Sequence, residues 1–150
     1  MKVTVIGGGS WGSALARILG DNGNDVIIYE QSLEIVNEIN LYHTNKSKLP
    51  VGTLPLNVSA TTCLSEALIE SNVIVIAVPT KVIRGVLNDM NNVLTHKSLF
   101  VNASKGLEPD TFLRVSEIVY QEINNDYIED FVALTGPSHA EEVINQLLTI

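Results

Sequence analysis

Short apolar runs alternate with longer segments of helical spacing along this chain. The runs predict strands near residues 2–6, 26–29, 57–61, 73–78, 98–103 and 131–135. Apolar residues recur with helical spacing over residues 65–71, 81–94 and 111–123. This alternation predicts a doubly wound α/β domain, with a mostly parallel sheet covered by helices on both faces.

The fourth predicted strand refines this picture. The run from Val73 to Val78 is continuously apolar instead of alternating, as expected for a central strand with helices on both sides. The segment 41–56 contains Pro50, Gly52 and Pro55 and is interpreted as a long connection.

The composition of the chain limits the kinds of molecule that it is expected to bind. With 150 residues, 45% of them hydrophobic, the chain can form one domain with a substantial core. Nine Lys and Arg against 17 Asp and Glu give a net charge of −8, which disfavours binding to nucleic acid or to an anionic membrane. We also expect no membrane span, no metal site and, because Cys63 is the single cysteine, a reducing cytoplasmic setting.

A glycine-rich turn follows the first predicted strand. Gly7, Gly9 and Gly12 have the G-x-G-x-x-G spacing, which serves a tight turn, close approach of backbone to phosphate, and close packing of helix on strand. The alternative is a glycine turn without a ligand. The complete βαβ context of about 30 residues favours a dinucleotide-binding, Rossmann-type domain.

In such sheets the ligand lies beyond the carboxyl ends of the strands. Glu30 follows the second strand, near the position where these folds place an acid that accepts hydrogen bonds from the adenosine ribose. A carboxylate there would repel a 2′-phosphate. A solvated glutamate at a strand end is the alternative reading.

Lys105 follows the fifth strand between two small residues, Ser104 and Gly106. Its ammonium group could therefore reach a phosphate or a carbonyl group without steric competition. An ordinary surface lysine in a turn is the alternative, and the position of Lys105 at the crevice favours function.

The segment after the sixth strand is expected to begin a helix. Pro137 suits the first turn of a helix, and Ser138 could donate a hydrogen bond to a substrate oxygen or act only in capping. For His139 we favour an orienting or surface role over that of a general base. Trp11 could pack against a cofactor or wedge the glycine turn.

Taken together, these motifs resemble the amino-terminal part of bacterial NAD(P)-dependent glycerol-3-phosphate dehydrogenase over essentially the whole chain. The resemblance rests on five segments, namely Gly7 to Ala16, His43 to Lys46 leading to Leu49 and Pro50, Ala77 to Lys81, Ser104 to Glu108, and Thr135 to Val143.

The resemblance implies NAD(H) or NADP(H) as cofactor and reduction of dihydroxyacetone phosphate to sn-glycerol 3-phosphate, which supplies the backbone of phospholipids. It implies that the cofactor contacts the glycine turn, Ser10, Trp11, Lys105 and Ala140. It implies that substrate is contacted by Lys105, Gly136 and Ser138.

Two departures from the family pattern carry further expectations. Members that use NADPH often have basic residues just after the second strand, whereas this chain has Glu30 and Gln31, so we expect a preference for NADH. The family also has a helical carboxyl-terminal domain that holds its catalytic lysine, and the apolar end from Leu147 to Ile150 suggests that this partner surface is uncovered. The chain by itself is then expected to hold no catalytic residue beyond a supporting Lys105.

Three matters stay open at this point. A related dehydrogenase with another phosphorylated or acidic substrate is one alternative, and a non-catalytic NAD(H)-sensing module is another. The sequence also leaves a homo-oligomer open.

Overall fold

The computed structural model describes residues 1–136 and 138–145. Six strands form one sheet in the order β3-β2-β1-β4-β5-β6, and every neighbouring pair is parallel. The strands are β1 (Lys2–Ile6), β2 (Asp25–Tyr29), β3 (Val58–Thr61), β4 (Val73–Ile76), β5 (Ser98–Asn102) and β6 (Ile128–Ala133). The predicted doubly wound sheet is confirmed, and its strand order reverses direction between β1 and β4.

Helices connect the strands and lie on both faces. They are α1 (Ser10–Asp21), α2 (Leu33–Tyr42), α3 (Leu64–Leu68), α4 (Thr80–Asn91), α5 (Val115–Glu122) and α6 (Ala140–Ile144). The connection predicted over 41–56 is present as residues 43–57, pinned by an isolated bridge between Asn45 and Leu49. Among the described helices, none has the length and hydropathy needed to cross a bilayer.

Strand β4 shows why its sequence is continuously apolar. Val75 packs into the core cluster shared with α1 and α2, whereas Ile74 and Ile76 pack into the cluster shared with α4 and α5. All three side chains are at most 4% exposed. Because each buried aliphatic side chain contributes about 1.5–3 kcal/mol, both faces of this strand stabilise the domain.

Several predicted boundaries were wrong. The helices expected over 65–71 and 81–94 end at Leu68 and Asn91. Strand β4 ends at Ile76, before Pro79, and β6 covers Ile128–Ala133 instead of 131–135. Helix α5 begins at Val115 and not at residue 111, because the chain before it closes on itself. Phe112 has a φ of 58° and its backbone N–H donates to the Glu108 carbonyl oxygen, so its side chain is 75% exposed instead of joining the apolar face of the helix.

Candidate functional site

The glycine turn joins β1 to α1, and sterics explain two of its glycines. Gly7 has a φ of 110°, and a Cβ there would lie 2.9 Å from the Ala77 carbonyl oxygen. A Cβ on Gly12 would lie 1.9 Å from the Gly7 carbonyl oxygen, so helix and turn could not pack as they do. Gly9 differs, since a Cβ there would meet nothing within 4 Å. The open space beside Gly9 is where a ligand could approach the backbone.

The start of α1 is suited to an anion. Gly9 is the N-cap residue, no side chain caps the helix there, and its first turn holds no acidic residue. The first backbone N–H groups and the positive end of the helix dipole therefore face the turn without a capping group. Ser10 does not cap the helix, because its hydroxyl donates to the Lys48 carbonyl oxygen.

Glu30 is tied to the glycine turn and is not a solvated strand-end residue. One carboxylate oxygen accepts a hydrogen bond from the Gly8 N–H at 3.0 Å, and the other accepts from the Ser32 N–H at 3.0 Å. A Cβ on Gly8 would lie 2.8 Å from the Glu30 carboxylate. Glu30 therefore presents a negative charge beside the turn.

Asn45 also supports the turn, and sequence reasoning gave it no role. It is 3% exposed, and its side-chain amide donates to the Gly8 carbonyl oxygen at 2.7 Å and to the Ser13 hydroxyl at 2.9 Å. These bonds fix the carbonyl side of the turn. In the sequence, Asn45 was noted only as one residue of the segment from His43 to Lys46 that contributes to the family resemblance.

A groove of about 300 Å³, here called the turn groove, lies over the ends of β1, β2 and β4. Its lining residues are Gly7, Gly8, Gly9, Tyr29, Glu30, Gln31, Lys48, Ala77, Val78, Pro79, Val82 and Val86. The turn groove thus gathers the predicted Gly7, Gly9, Glu30 and Gln31, and adds Lys48 from the long connection.

A larger cavity of about 740 Å³, here called the edge cavity, lies over the ends of β5 and β6. Its polar lining includes Lys105, Ser138 and Arg114, and much of the remainder is apolar, contributed by residues such as Leu15, Ile18, Leu107, Val115, Phe131 and Leu134. Gly136 and Trp11 line it as well. The predicted substrate residues are therefore brought together in one cavity.

Lys105 lies between two groups in this cavity. Its Nζ is 5.7 Å from the centroid of the Trp11 ring and donates a hydrogen bond of 3.5 Å to the Ser138 carbonyl oxygen. A cation over an indole face is held electrostatically while its head stays available to other groups. Lys105 is therefore not an isolated surface lysine.

Trp11 contacts both the helix α6 and the edge cavity. Its ring packs against the small cluster formed by Ala14, Leu49 and Ala140, which joins α1 to α6, and it also lines the edge cavity. Its Nε1 is buried without a hydrogen-bond partner among the described residues.

The predicted residues after β6 are only partly described. Pro137 and the end from Leu147 to Ile150 lie outside the described residues, and α6 begins at Ala140, with His139 as its N-cap residue. Glu141 and Glu142 are in its first turn. The side chain of Ala140 is 9% exposed and packs against α1, so a cofactor contact by this residue would use its backbone.

An ion-pair network behind the edge cavity had no counterpart in the sequence analysis. Glu108 follows Lys105 by three residues and binds Arg84 of α4 through two hydrogen bonds, each of 2.8 Å. The Arg84 guanidinium lowers the pKa of the Glu108 carboxyl to about 2.

Within the described part of the chain, no three His, Cys, Asp or Glu side chains come together as a metal site.

The parallel sheet, the open glycine turn at its reversal point and the two cavities at the carboxyl ends of the strands define a dinucleotide-binding domain of the Rossmann class. The chain matches the family described as NAD-dependent glycerol-3-phosphate dehydrogenase N-terminus over residues 2–150, and it belongs to that family. The resemblance inferred from the sequence is thereby confirmed.

Individual relatives agree with this assignment. Glycerol-3-phosphate dehydrogenase (NAD(P)+) of Bacillus anthracis is 49% identical over 150 residues, covering 99% of this chain and 44% of the relative. The structure of glycerol-3-phosphate dehydrogenase from Coxiella burnetii has a TM-score of 0.89 at 28% identity and covers 99% of this chain and 44% of that one. The Plasmodium falciparum enzyme has a TM-score of 0.89 at 22% identity, with the same coverage, and shows the shared fold. This chain spans less than half the length of the curated relatives it matches.

Proposed function

We propose that this chain is the cofactor-binding half of a glycerol-3-phosphate dehydrogenase that reduces dihydroxyacetone phosphate to sn-glycerol 3-phosphate and so supplies phospholipid synthesis. The observation that carries the proposal is the position of Lys105, which lies in the edge cavity beside Ser138 and over Trp11. Trp11 belongs to α1, the helix whose first turn has no side-chain cap and faces the turn groove. One ligand could therefore extend from the glycine turn to Lys105.

The residues present fit a nicotinamide dinucleotide. The open space at Gly9 and the uncapped start of α1 suit a diphosphate, and Glu30 and Gln31 line the part of the turn groove suited to the adenosine ribose. Ser10, Trp11 and the backbone of Ala140 are the further proposed contacts. When bound, the nicotinamide ring supplies the hydride for the carbonyl carbon of the substrate.

Lys105 is proposed to act on the substrate by charge. Its ammonium group would hold the substrate near the ring and stabilise the negative charge that develops on the carbonyl oxygen. Gly136 and the hydroxyl of Ser138 would contact the same substrate. The proton donor of the family is a lysine beyond this chain, so a helical carboxyl-terminal domain is expected to close over the apolar lining of the edge cavity.

This division of roles gives a direct test. The chain of 150 residues should bind NADH but oxidise it with dihydroxyacetone phosphate at a negligible rate, whereas the protein extended to the length of its relatives should turn over. Absorbance at the NADH band, followed at high protein concentration, measures both. A chain that fails to bind NADH, or an extended protein that is inactive with this substrate, would contradict the proposal.

We further propose a preference for NADH over NADPH. The Glu30 carboxylate lies beside the turn, where it would repel a 2′-phosphate. Calorimetric titration should give tighter binding of NADH than of NADPH. Glu30→Gln should reduce the ratio of the two dissociation constants by about tenfold, or ~1.4 kcal/mol. Glu34→Gln, which removes a charge from the exposed first turn of α2, is the control and should change neither affinity. Tighter binding of NADPH by the unmodified chain would refute the preference.

A cytoplasmic location is part of the same proposal. It is supported by the single cysteine, Cys63, which is exposed and free. Fractionation of cells that produce the protein would test it.

A further inference from the structure

Lys105 belongs to an irregular segment that needs support from elsewhere. Residues 103–114 connect β5 to α5 without helix or strand. Three of them have a positive φ, namely Gly106 at 94°, Asp110 at 70° and Phe112 at 58°. Asp110 and Phe112 are not glycines, and a backbone with two such residues at positive φ keeps its conformation only where surrounding contacts fix it.

One end of the segment is fixed to the neighbouring strand β4. The Ser104 hydroxyl donates to the Val78 carbonyl oxygen at 2.7 Å, and the Ser104 N–H donates to the Asn102 side-chain oxygen at 3.0 Å. Ser104 immediately precedes Lys105. These bonds alone leave the other side of Lys105, at Gly106, free to turn.

The other end is fixed by Glu108. Its backbone N–H donates to the Leu113 carbonyl oxygen at 2.9 Å, and its carbonyl oxygen accepts from the Phe112 N–H at 3.0 Å. Its carboxylate accepts a hydrogen bond of 2.5 Å from the Thr111 hydroxyl. Glu108 therefore closes the turn that ends the segment, although it is a carboxylate with only 8% exposure.

Arg84 makes that arrangement stable. Its guanidinium forms two parallel hydrogen bonds with the Glu108 carboxylate, and a third guanidinium nitrogen, Nη1, binds Glu122 of α5. A bidentate pair fixes direction as well as distance, which a lysine could not do. A buried carboxylate without this partner would be costly, so the turn depends on Arg84.

We propose that Arg84 is a positioning residue for Lys105, acting through Glu108 to hold the Lys105 ammonium group over Trp11 in the edge cavity. Arg84 itself lines neither that cavity nor the turn groove, and its bidentate pair with Glu108 connects it to the segment 103–114 that carries Lys105. This inference deepens the proposed function, because it concerns the residue assigned to the substrate. The main test of this proposal is the tryptophan emission spectrum of the protein without ligand.

Trp11 provides the readout, because it is the only tryptophan in the sequence. Its emission spectrum reports on the cation above its ring. We expect Lys105→Met to shift the spectrum, Arg84→Met to produce at least half of that shift, and the double variant to match Lys105→Met alone. This non-additivity is the signature of two residues that act through one contact. Additive shifts would overturn the proposal, and so would an unchanged spectrum in Lys105→Met, since the contact itself would then be absent in solution.

Milder variants separate positioning from general stability. Arg84→Lys keeps the charge without the two parallel bonds and should give an intermediate shift. Glu108→Gln should resemble Arg84→Met, whereas Glu66→Gln, which alters an exposed hydrogen bond from Thr61 at the opposite edge of the sheet, should leave the spectrum unchanged. If the folded Arg84 and Glu108 variants lose stability but keep the spectrum of the unmodified chain, Arg84 is merely structural and the proposal fails.

Titration with NADH on the same samples keeps the two proposals apart. We expect Lys105→Met and Arg84→Met to weaken NADH binding to a similar extent, with Glu66→Gln unchanged. If the spectra behave as expected but NADH binds none of the proteins, positioning by Arg84 stands and the proposed function fails. If NADH binds but the spectra of Lys105→Met and Arg84→Met are unrelated, the function stands and the positioning role fails.

Discussion

The turn groove and the edge cavity are assembled in different ways. The turn groove begins at the glycine turn of one βαβ unit, where Gly7 and Gly12 fit because they lack side chains, and Lys48 and residues 77–86 complete its lining. The edge cavity is formed by side chains from α1, α6 and the segments after β5 and β6. The glycine turn is local in sequence and depends on the absence of side chains, whereas the edge cavity depends on distant residues held in place by other side chains. Substitutions should therefore disturb the two regions in different ways.

The largest effect is expected from Gly12→Ala in the turn. The added Cβ would lie 1.9 Å from the Gly7 carbonyl oxygen, and backbone atoms cannot move aside as a side chain can. We expect a loss of about 3 kcal/mol or more in the free energy of unfolding, measured by urea denaturation.

Gly85→Ala on α4 is the matched control. A Cβ there would meet nothing within 4 Å, so it should stabilise the chain by about 1 kcal/mol through helix propensity. Equal stability of the two variants would contradict the steric account of the turn.

Lys105→Met should damage the chemistry of the edge cavity while sparing the fold. In the protein extended to the length of its relatives, we expect kcat for dihydroxyacetone phosphate to fall on the order of 10²–10³-fold, because the charge that stabilises the developing oxyanion is lost. Lys97→Met, just before β5 at the opposite end of that strand, should leave kcat unchanged. A folded Lys105→Met protein with normal kcat would refute the role of Lys105.

Gly9→Ala separates binding from folding within the turn itself. Its Cβ meets no protein atom within 4 Å, so the expected loss of stability is limited to the ~1 kcal/mol by which alanine is the poorer N-cap residue. It would occupy the space proposed for the diphosphate, and calorimetry should show NADH binding weakened by about tenfold or more, at least ~1.4 kcal/mol. Unchanged affinity would mean that the ligand does not approach the backbone there.

The smallest effect expected is on acid stability and concerns the support of the edge cavity. The Arg84 guanidinium holds the pKa of Glu108 at about 2, below its ordinary value of 4.5, so this group stabilises the fold above pH 4.5 and loses that contribution as the pH falls towards 2. The backbone N–H of Lys46 lowers the pKa of Glu38, and the Arg114 side chain lowers that of Glu117, with the same sign.

Urea denaturation between pH 7 and pH 3 should therefore show stability falling below about pH 5. Glu108→Gln should flatten that decline, because it removes the group that must take up a proton. Identical slopes for the two proteins would show that the pair with Arg84 contributes no pH dependence.

The two regions also differ in how far sequence could anticipate them. The glycine spacing and the strand before it lie within the first 12 residues, and local period and sterics were enough to relate them. Asn45 was missed because its partners, the Gly8 carbonyl and Ser13, are more than 30 residues away along the chain. The helix expected from residue 111 was wrong because Phe112 has a φ of 58°, outside the helical region, and the Leu113 carbonyl oxygen accepts from the distant Glu108 N–H instead of from a helical partner.

By itself, the sequence determined the alternation of strands and helices, the continuously buried β4 and the glycine turn, because hydrophobic period and the absence of a Cβ act over a few residues. It also carried the motifs that identified the family. Only the tertiary structure decided that Glu30 binds the turn, that Lys105 lies over Trp11 beside Ser138, and that Arg84 holds Glu108. These contacts join segments that meet only when the sheet forms, since the direction of a side chain across such distances depends on packing that no local pattern encodes.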